Sequence, residues 1–230
     1  NEALVLLNQQ KKKEAITALE AATGKLEILM SRDPKLKFVP IEANVKTQDI
    51  ITDLETIKAV KEKVRDAIKD DYFQVLRDEI ANLACEARIT TIEIPLATFP
   101  AAIKEAARLI EKDSINNANM ILYQAMNTLV ISEKRLPLPV LRAQVLIDEA
   151  KKQSASKEDK KKEVLQLLEN AEYQLIMAEE LGYGKRDKEY GELNTSIKEL
   201  KKSVESNTDS QGLFNTLKSK LAQFRKRLFS

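Results

Sequence analysis

Glycine and proline are so sparse in this chain that few folds remain open to it: 5 glycines and 6 prolines punctuate 230 residues. Sheets joined by tight turns use one or the other at most reversals, so an all-β fold lacks the punctuation it needs. Between the breaks lie long runs rich in Ala, Leu, Lys and Glu, the residues that lose least on entering a helix. Hydrophobic residues at 43% and charged residues at 32% fit a folded, well-solvated globule. The expected fold class is mainly α: a multi-helix bundle of antiparallel helix pairs with a small β-sheet or hairpin.

Periodicity places the elements. Ile16, Leu19, Ala22, Leu26, Leu29 and Met30 recur at helical spacing, and the polar cluster from Asn8 to Lys13 divides this first stretch into a short helix and a longer one. Pro34 ends it, because proline disfavours helix at the residue before it. Residues 38–46 alternate apolar and polar, as an extended segment does. Thr47 is the expected N-cap of a helix reaching about Lys69, with Asp49 and Asp53 suited to its positive end. Asp70 and Asp71 break it, and a second helix runs to about Ala87. Residues 89–98, rich in β-branched side chains, form another extended piece.

Pro100 fits the first turn of the next helix, and Ser114 the cap of the one after. Residues 129–136 are a third extended candidate. The economical inference is that the three segments pair, since isolated strands leave backbone groups unsatisfied. After Pro139 the pattern is helical: Val140 to Gln153, then a solvated connection from Ser154 to Lys162, then Val164 to Leu181. Gly182 is placed to end that helix in a left-handed conformation. A further helix runs from Tyr190 to Val204.

Ser206 to Gly212 is the best linker, which divides the chain into a mostly helical domain over residues 1–205 and a C-terminal helix over 206–230. From Ser210 onward there are five basic residues and no acid, whereas the rest of the chain carries a net charge of −3. The tail is therefore a basic amphipathic helix with Leu213, Phe214, Leu217, Leu221, Phe224 and Leu228 as a candidate interaction surface. Three readings fit it: membrane or nucleic-acid contact through its cations, an oligomer or client seam through its apolar stripe, or docking on its own body. Its aromatics sit with the stripe rather than among the cations, which counts against nucleic acid.

The equipment of an enzyme is missing. Without histidine there is no Ser-His-Asp or Cys-His nucleophile and no commonest zinc ligand. The single cysteine, Cys85, rules out an intramolecular disulfide and dithiol chemistry, and its neighbours Ile80 to Ala84 give it the character of a small core hydrophobe. Gly182-Tyr183-Gly184 lacks the remaining residues of a phosphate-binding loop. The carboxylate pairs Asp49/Asp53, Asp70/Asp71 and Glu179/Glu180 fit caps, breaks and solvated helix ends. No catalytic residue, cofactor or metal is expected. No apolar run reaches the ~20 residues of a membrane span.

Several stretches, in order, carry a resemblance. They are Ala21-Ala22-Thr23-Gly24-Lys25-Leu26-Glu27 with Phe38-Val39-Pro40; Ile89-Thr90-Thr91 with Ile94-Pro95-Leu96-Ala97-Thr98-Phe99-Pro100; Leu136-Pro137-Leu138-Pro139 with Leu141-Arg142-Ala143-Gln144; and Ala178-Glu179-Glu180-Leu181-Gly182-Tyr183. Across roughly residues 1–200 the chain resembles the YfdX family of bacterial stress-associated proteins. That resemblance implies a mostly helical fold, export to the periplasm, homo-oligomers such as dimers or tetramers, and a chaperone-like role in acid or heat stress. It offers no catalytic residues and does not reach the tail.

Two functions follow as expectations. The first is a stress-protective protein that captures partly unfolded clients, with no nucleic-acid partner. Its 36 carboxylates lose charge through pH ~4 while 38 cations persist, so assembly or exposed apolar area is expected to change below about pH 5. Without histidine no switch is expected between pH 6 and 7. The alternative is a helical module that binds a small molecule or a dedicated protein partner.

Overall fold

Local chemistry sets where the helices start and stop. The computed structural model describes residues 1–50, 52–155, 160–184 and 188–229. Among them α1 (Glu2–Asn8) and α2 (Lys12–Arg32) are split where the polar cluster lies, at Gln10, which adopts a φ of 61°. The long strand β1 (Phe38–Gln48) follows. It takes in Thr47, so the cap of α3 (Leu54–Lys69) falls instead to Asp53, whose carboxylate accepts the Thr56 amide at 2.7 Å. Strand pairing outweighs the capping preference of one threonine. Asp71, at φ 60°, turns the chain into α4 (Phe73–Asn82).

Strand β2 (Glu86–Pro95) leads to α5 (Phe99–Glu111), with Pro100 in its first turn, and then α6 (Ile115–Met126). Strand β3 (Val130–Pro137) runs directly into α7 (Leu138–Ser154). Of the expected connection from Ser154 to Lys162, residues 156–159 lie outside the described residues. Helix α8 (Lys161–Glu180) ends as its sequence demands: Gly182 takes φ 84°, its amide donates to the Glu179 carbonyl, and the Tyr183 amide donates to that of Ala178. That is a Schellman closure, which satisfies two carbonyls the helix end leaves open. Helices α9 (Lys188–Glu205) and α10 (Gln211–Leu228) complete the chain.

Contacts divide these elements into two compact units: residues 1–44 with 90–133, and residues 45–89 with 134–230. In the first unit α1 packs on α2 and α6, and α5 packs on α2 and α6, a closed ring of four helices. Leu4, Leu7, Leu19, Leu26, Ile103 and Ile110 fill its centre. The second unit closes a ring of its own from α7, α8, α9 and α10, with α3 leaning on α8 and α4 on α3. Its core is larger and holds Ile147, Leu168, Leu175, Tyr190, Ile197 and Leu200, all shut off from solvent. The fold is thus mainly α, as expected, with one small antiparallel sheet.

The sheet has the order β1-β2-β3, so β1 and β3 are its edges. Its register follows from two bonds: the Leu96 amide donates to the Lys37 carbonyl at 2.9 Å, and the Leu138 amide donates to that of Cys85 at 3.0 Å. Regular antiparallel pairing from these bonds aligns Ile41 and Ile131 on either side of Ile92. The same counting sets Arg135 beside Arg88, next to Glu86 on that face, where salt bridges join both arginines to the glutamate.

Candidate functional site

The stripe of α10 lies inward. Phe214, Leu217, Leu221 and Phe224 are buried in the core of the second unit, and Leu213 and Leu228 are partly buried against it. Phe224 meets Tyr190 edge to face, with ring centroids 4.9 Å apart at 69°. Three of the five basic residues of the helix are engaged from the body: Lys218 pairs with Asp148 at 2.6 Å, Lys220 donates to the Ser196 hydroxyl at 3.0 Å, and Arg227 pairs with Glu189. The stripe holds the unit together and is not on its surface.

Two other features face solvent. The first belongs to the first unit, where part of the sheet carries apolar side chains that meet solvent, as one side of an antiparallel sheet can. Ile41 is 52% exposed and Ile131 70% exposed, with the half-buried Ile92 between them in register. Phe38 is exposed on the same strand as Ile41. Sequence identifies these residues as strand formers and does not mark them as surface.

The second feature is an open cleft of ≈ 700 Å³ in the second unit. At its wall Glu86 is a carboxylate with only 6% of its side chain exposed, while the arginines it binds, Arg88 and Arg135, keep 37% and 60%. Both reach the same oxygen, Oε1, Arg88 at 3.2 Å and Arg135 at 3.8 Å. Burying a carboxylate is tolerable only with such partners. Apolar walls come from Ile80, Leu83, Leu181 and Leu228.

Tyr183 joins this cleft to a polar cluster behind it. Its phenol oxygen accepts the Cys85 amide at 2.8 Å, and its own carbonyl accepts the Tyr190 hydroxyl at 2.7 Å. Burial pushes the Tyr183 phenol well above its ordinary range, and the nearby Glu86 adds to the shift. The Cys85 thiol donates to Asp49 Oδ1 at 3.2 Å. Burial, with Asp49 adding to it, likewise raises the thiol pKa, so the reactive thiolate is suppressed. The expectation that Asp49 serves a helix dipole does not hold. It pairs instead with Arg142, which keeps its carboxyl below the usual range.

Sequence reasoning missed Glu86, Arg88 and Arg135 as a group. They are scattered along the chain, and sheet pairing is what gathers them. Among the described residues no three His, Cys, Asp or Glu side chains gather as a metal site would need, and no helix is long and apolar enough to cross a membrane.

Comparison with known proteins agrees with the residue pattern. A family profile described as YfdX protein matches residues 1–135, more than half of the chain. Among solved structures the chain is similar to one of Salmonella Typhi YfdX, at 13% sequence identity and a TM-score of 0.42, over 60% of this chain and 86% of that one. No curated protein matches it. With its ordered stretches and a profile match that takes in the whole of the first unit, the chain belongs to the YfdX family.

Proposed function

We propose that this protein is a non-enzymatic, stress-linked binding protein of the periplasm, working as a homo-oligomer that shelters partly unfolded polypeptides under acid or heat stress. The observation that carries this reading is the row of exposed apolar residues on the sheet of the first unit. Ile41 and Ile131 are apolar, exposed and in one row, on strands that form the edges of a three-stranded sheet. An exposed edge beside apolar side chains offers an extended segment both backbone pairing and a place for alternate residues. Non-native chains present such segments, and so does a second copy of this one. Family membership supports the stress context in the terms the sequence resemblance implies.

The test is aggregation suppression. A heat-denatured test enzyme is followed by light scattering at pH 7 and pH 4, with wild type and with the double variant Ile41→Lys/Ile131→Lys. Both sites are exposed, so the variant is expected to keep its helical circular dichroism while losing most of the suppression. Equal protection by the two proteins, or none by wild type, would sink the proposal.

A second reading, capture of a small molecule, is favoured by one specific observation: the open cleft of the second unit and the charged groups at its wall.

A further inference from the structure

Among the described residues α6 is the one helix without a charged side chain, and the uncharged run extends from Ser114 to Ser132 in a chain that is 32% charged. Its inner side is accounted for, because Ala118 and Leu122 are buried in the core of the first unit. Its outer side is not. At 3.6 residues per turn Asn116, Asn117, Met120, Tyr123, Gln124 and Asn127 share an arc of about 120°. All of them are exposed, Met120 by 58% and Tyr123 by 52%. A helix side that meets only solvent ordinarily carries charge. One with none, and with Met and Tyr at its centre, has the composition of an interface core.

We infer that this face is a contact between two copies of the chain, α6 lying antiparallel to α6 of the second copy across a two-fold axis. The inference rests on the homo-oligomer of the functional reading and names its surface. The order of the residues argues for that occupant. Along the helix the row reads Asn116, Met120, Tyr123, Asn127, symmetric about the midpoint between Ile121 and Leu122. A two-fold axis through that midpoint sets Asn116 of one copy against Asn127 of the other, and Met120 against Tyr123, each pair occurring twice. An asparagine amide both donates and accepts, so an Asn–Asn pair satisfies itself. A thioether beside an aromatic ring is a favourable contact. Charge selects as well. A nucleic acid or an anionic membrane calls for cations, and this face has none. A charged protein surface would lose its hydration here without compensation. A second α6 brings neither cost. The row is the centre of the contact rather than all of it, since a stable interface removes about 800 Å² from each partner.

Sedimentation velocity over an about hundredfold range of protein concentration tests this, with circular dichroism to check the fold. Wild type is expected to associate. Met120→Lys and Tyr123→Glu are each expected to weaken association at least about tenfold, because each sets a charge against an apolar side chain. Mixed together, the two variants are expected to recover it. The new cation of one copy then lies opposite the new anion of the other, while the second Met120–Tyr123 pair stays intact. Misfolded variants would not recover on mixing. An oligomer that both variants leave intact would remove α6 from the interface and spare the homo-oligomer. Variants that dissociate but fail to re-pair would overturn the antiparallel row. A monomeric wild type would remove both the interface and the oligomer, and if its aggregation suppression were lost in the two variants the face would belong to clients instead.

Discussion

At the scale of single residues, the informative groups are those paired in ways linear spacing does not announce. Asp49 is the clearest case. Its folded pKa lies below the ordinary value of 3.8 because Arg142 binds the ionised form. A depressed carboxyl contributes stability that is complete above its unfolded pKa and is lost as pH falls through the folded value. Asp49→Asn is therefore expected to lower stability at pH 7 and pH 5, with the difference closing below about pH 4. Urea unfolding at pH 7, 5 and 3 measures it; a difference that stays constant down to pH 3 would show that ionisation of Asp49 is not the source. The window lies well below pH 6, in keeping with a chain that has no histidine. None of this is visible in the sequence, where Asp49 looks like a companion of Asp53 in one helix turn. The strand that extends to Gln48 carries Asp49 away from that helix.

At the scale of elements, the helices are legible because burial imposes a 3.6-residue period that survives in the sequence. The splits at Gln10 and Asp71 and the ends at Gly182 and Glu205 all follow from residues that break or cap. The strands are legible in place and nearly in extent: β3 over Val130–Pro137 meets the expected 129–136, whereas β1 runs past 46 to Gln48 and β2 starts at Glu86 rather than at 89, because strand positions that face solvent accept polar side chains. What cannot be read is which surface of α10 meets what. An amphipathic helix has one apolar stripe whether it binds its own body or a partner. Its burial makes a sharp prediction. Leu217→Ala removes a fully buried side chain between helices and is expected to cost about 3 kcal/mol. The exposed Val145→Ala, on α7, is expected to change stability by less than about 0.5 kcal/mol. Chemical denaturation decides it, and equal effects of the two substitutions would contradict the packing of α10.

At the scale of the whole molecule, burial is uneven. The ring of α7 to α10 holds a dense apolar core, whereas on the hairpin of α3 and α4 the buried hydrophobic residues among the described side chains are Ile57 and Leu76, with Ile68, Tyr72, Phe73 and Ile80 exposed. Local opening is easiest where few apolar contacts must be broken. Amide hydrogen exchange is therefore expected to be at least about tenfold faster over residues 54–82 than over the buried turns of α8 and α9. Uniform protection across these helices would refute that ranking. The family assignment belongs to this scale too. The profile covers residues 1–135, which contain all of the first unit but stop short of the four-helix ring of the second. The stretches around Pro137 and Gly182 that also carry the resemblance lie beyond that match.

One detail of β1 sets how tightly anything can hold the open edge of the sheet. Because Lys37 points its carbonyl toward β2, alternation along the strand turns the even-numbered residues outward, and Pro40, which has no amide hydrogen, is among them. A chain laid alongside meets a missing rung there, flanked further on by the charges of Glu42 and Lys46. Such a guest zips up over a few residues and then stalls, which keeps its grip short-lived and denies the edge the uninterrupted ladder from which fibres grow.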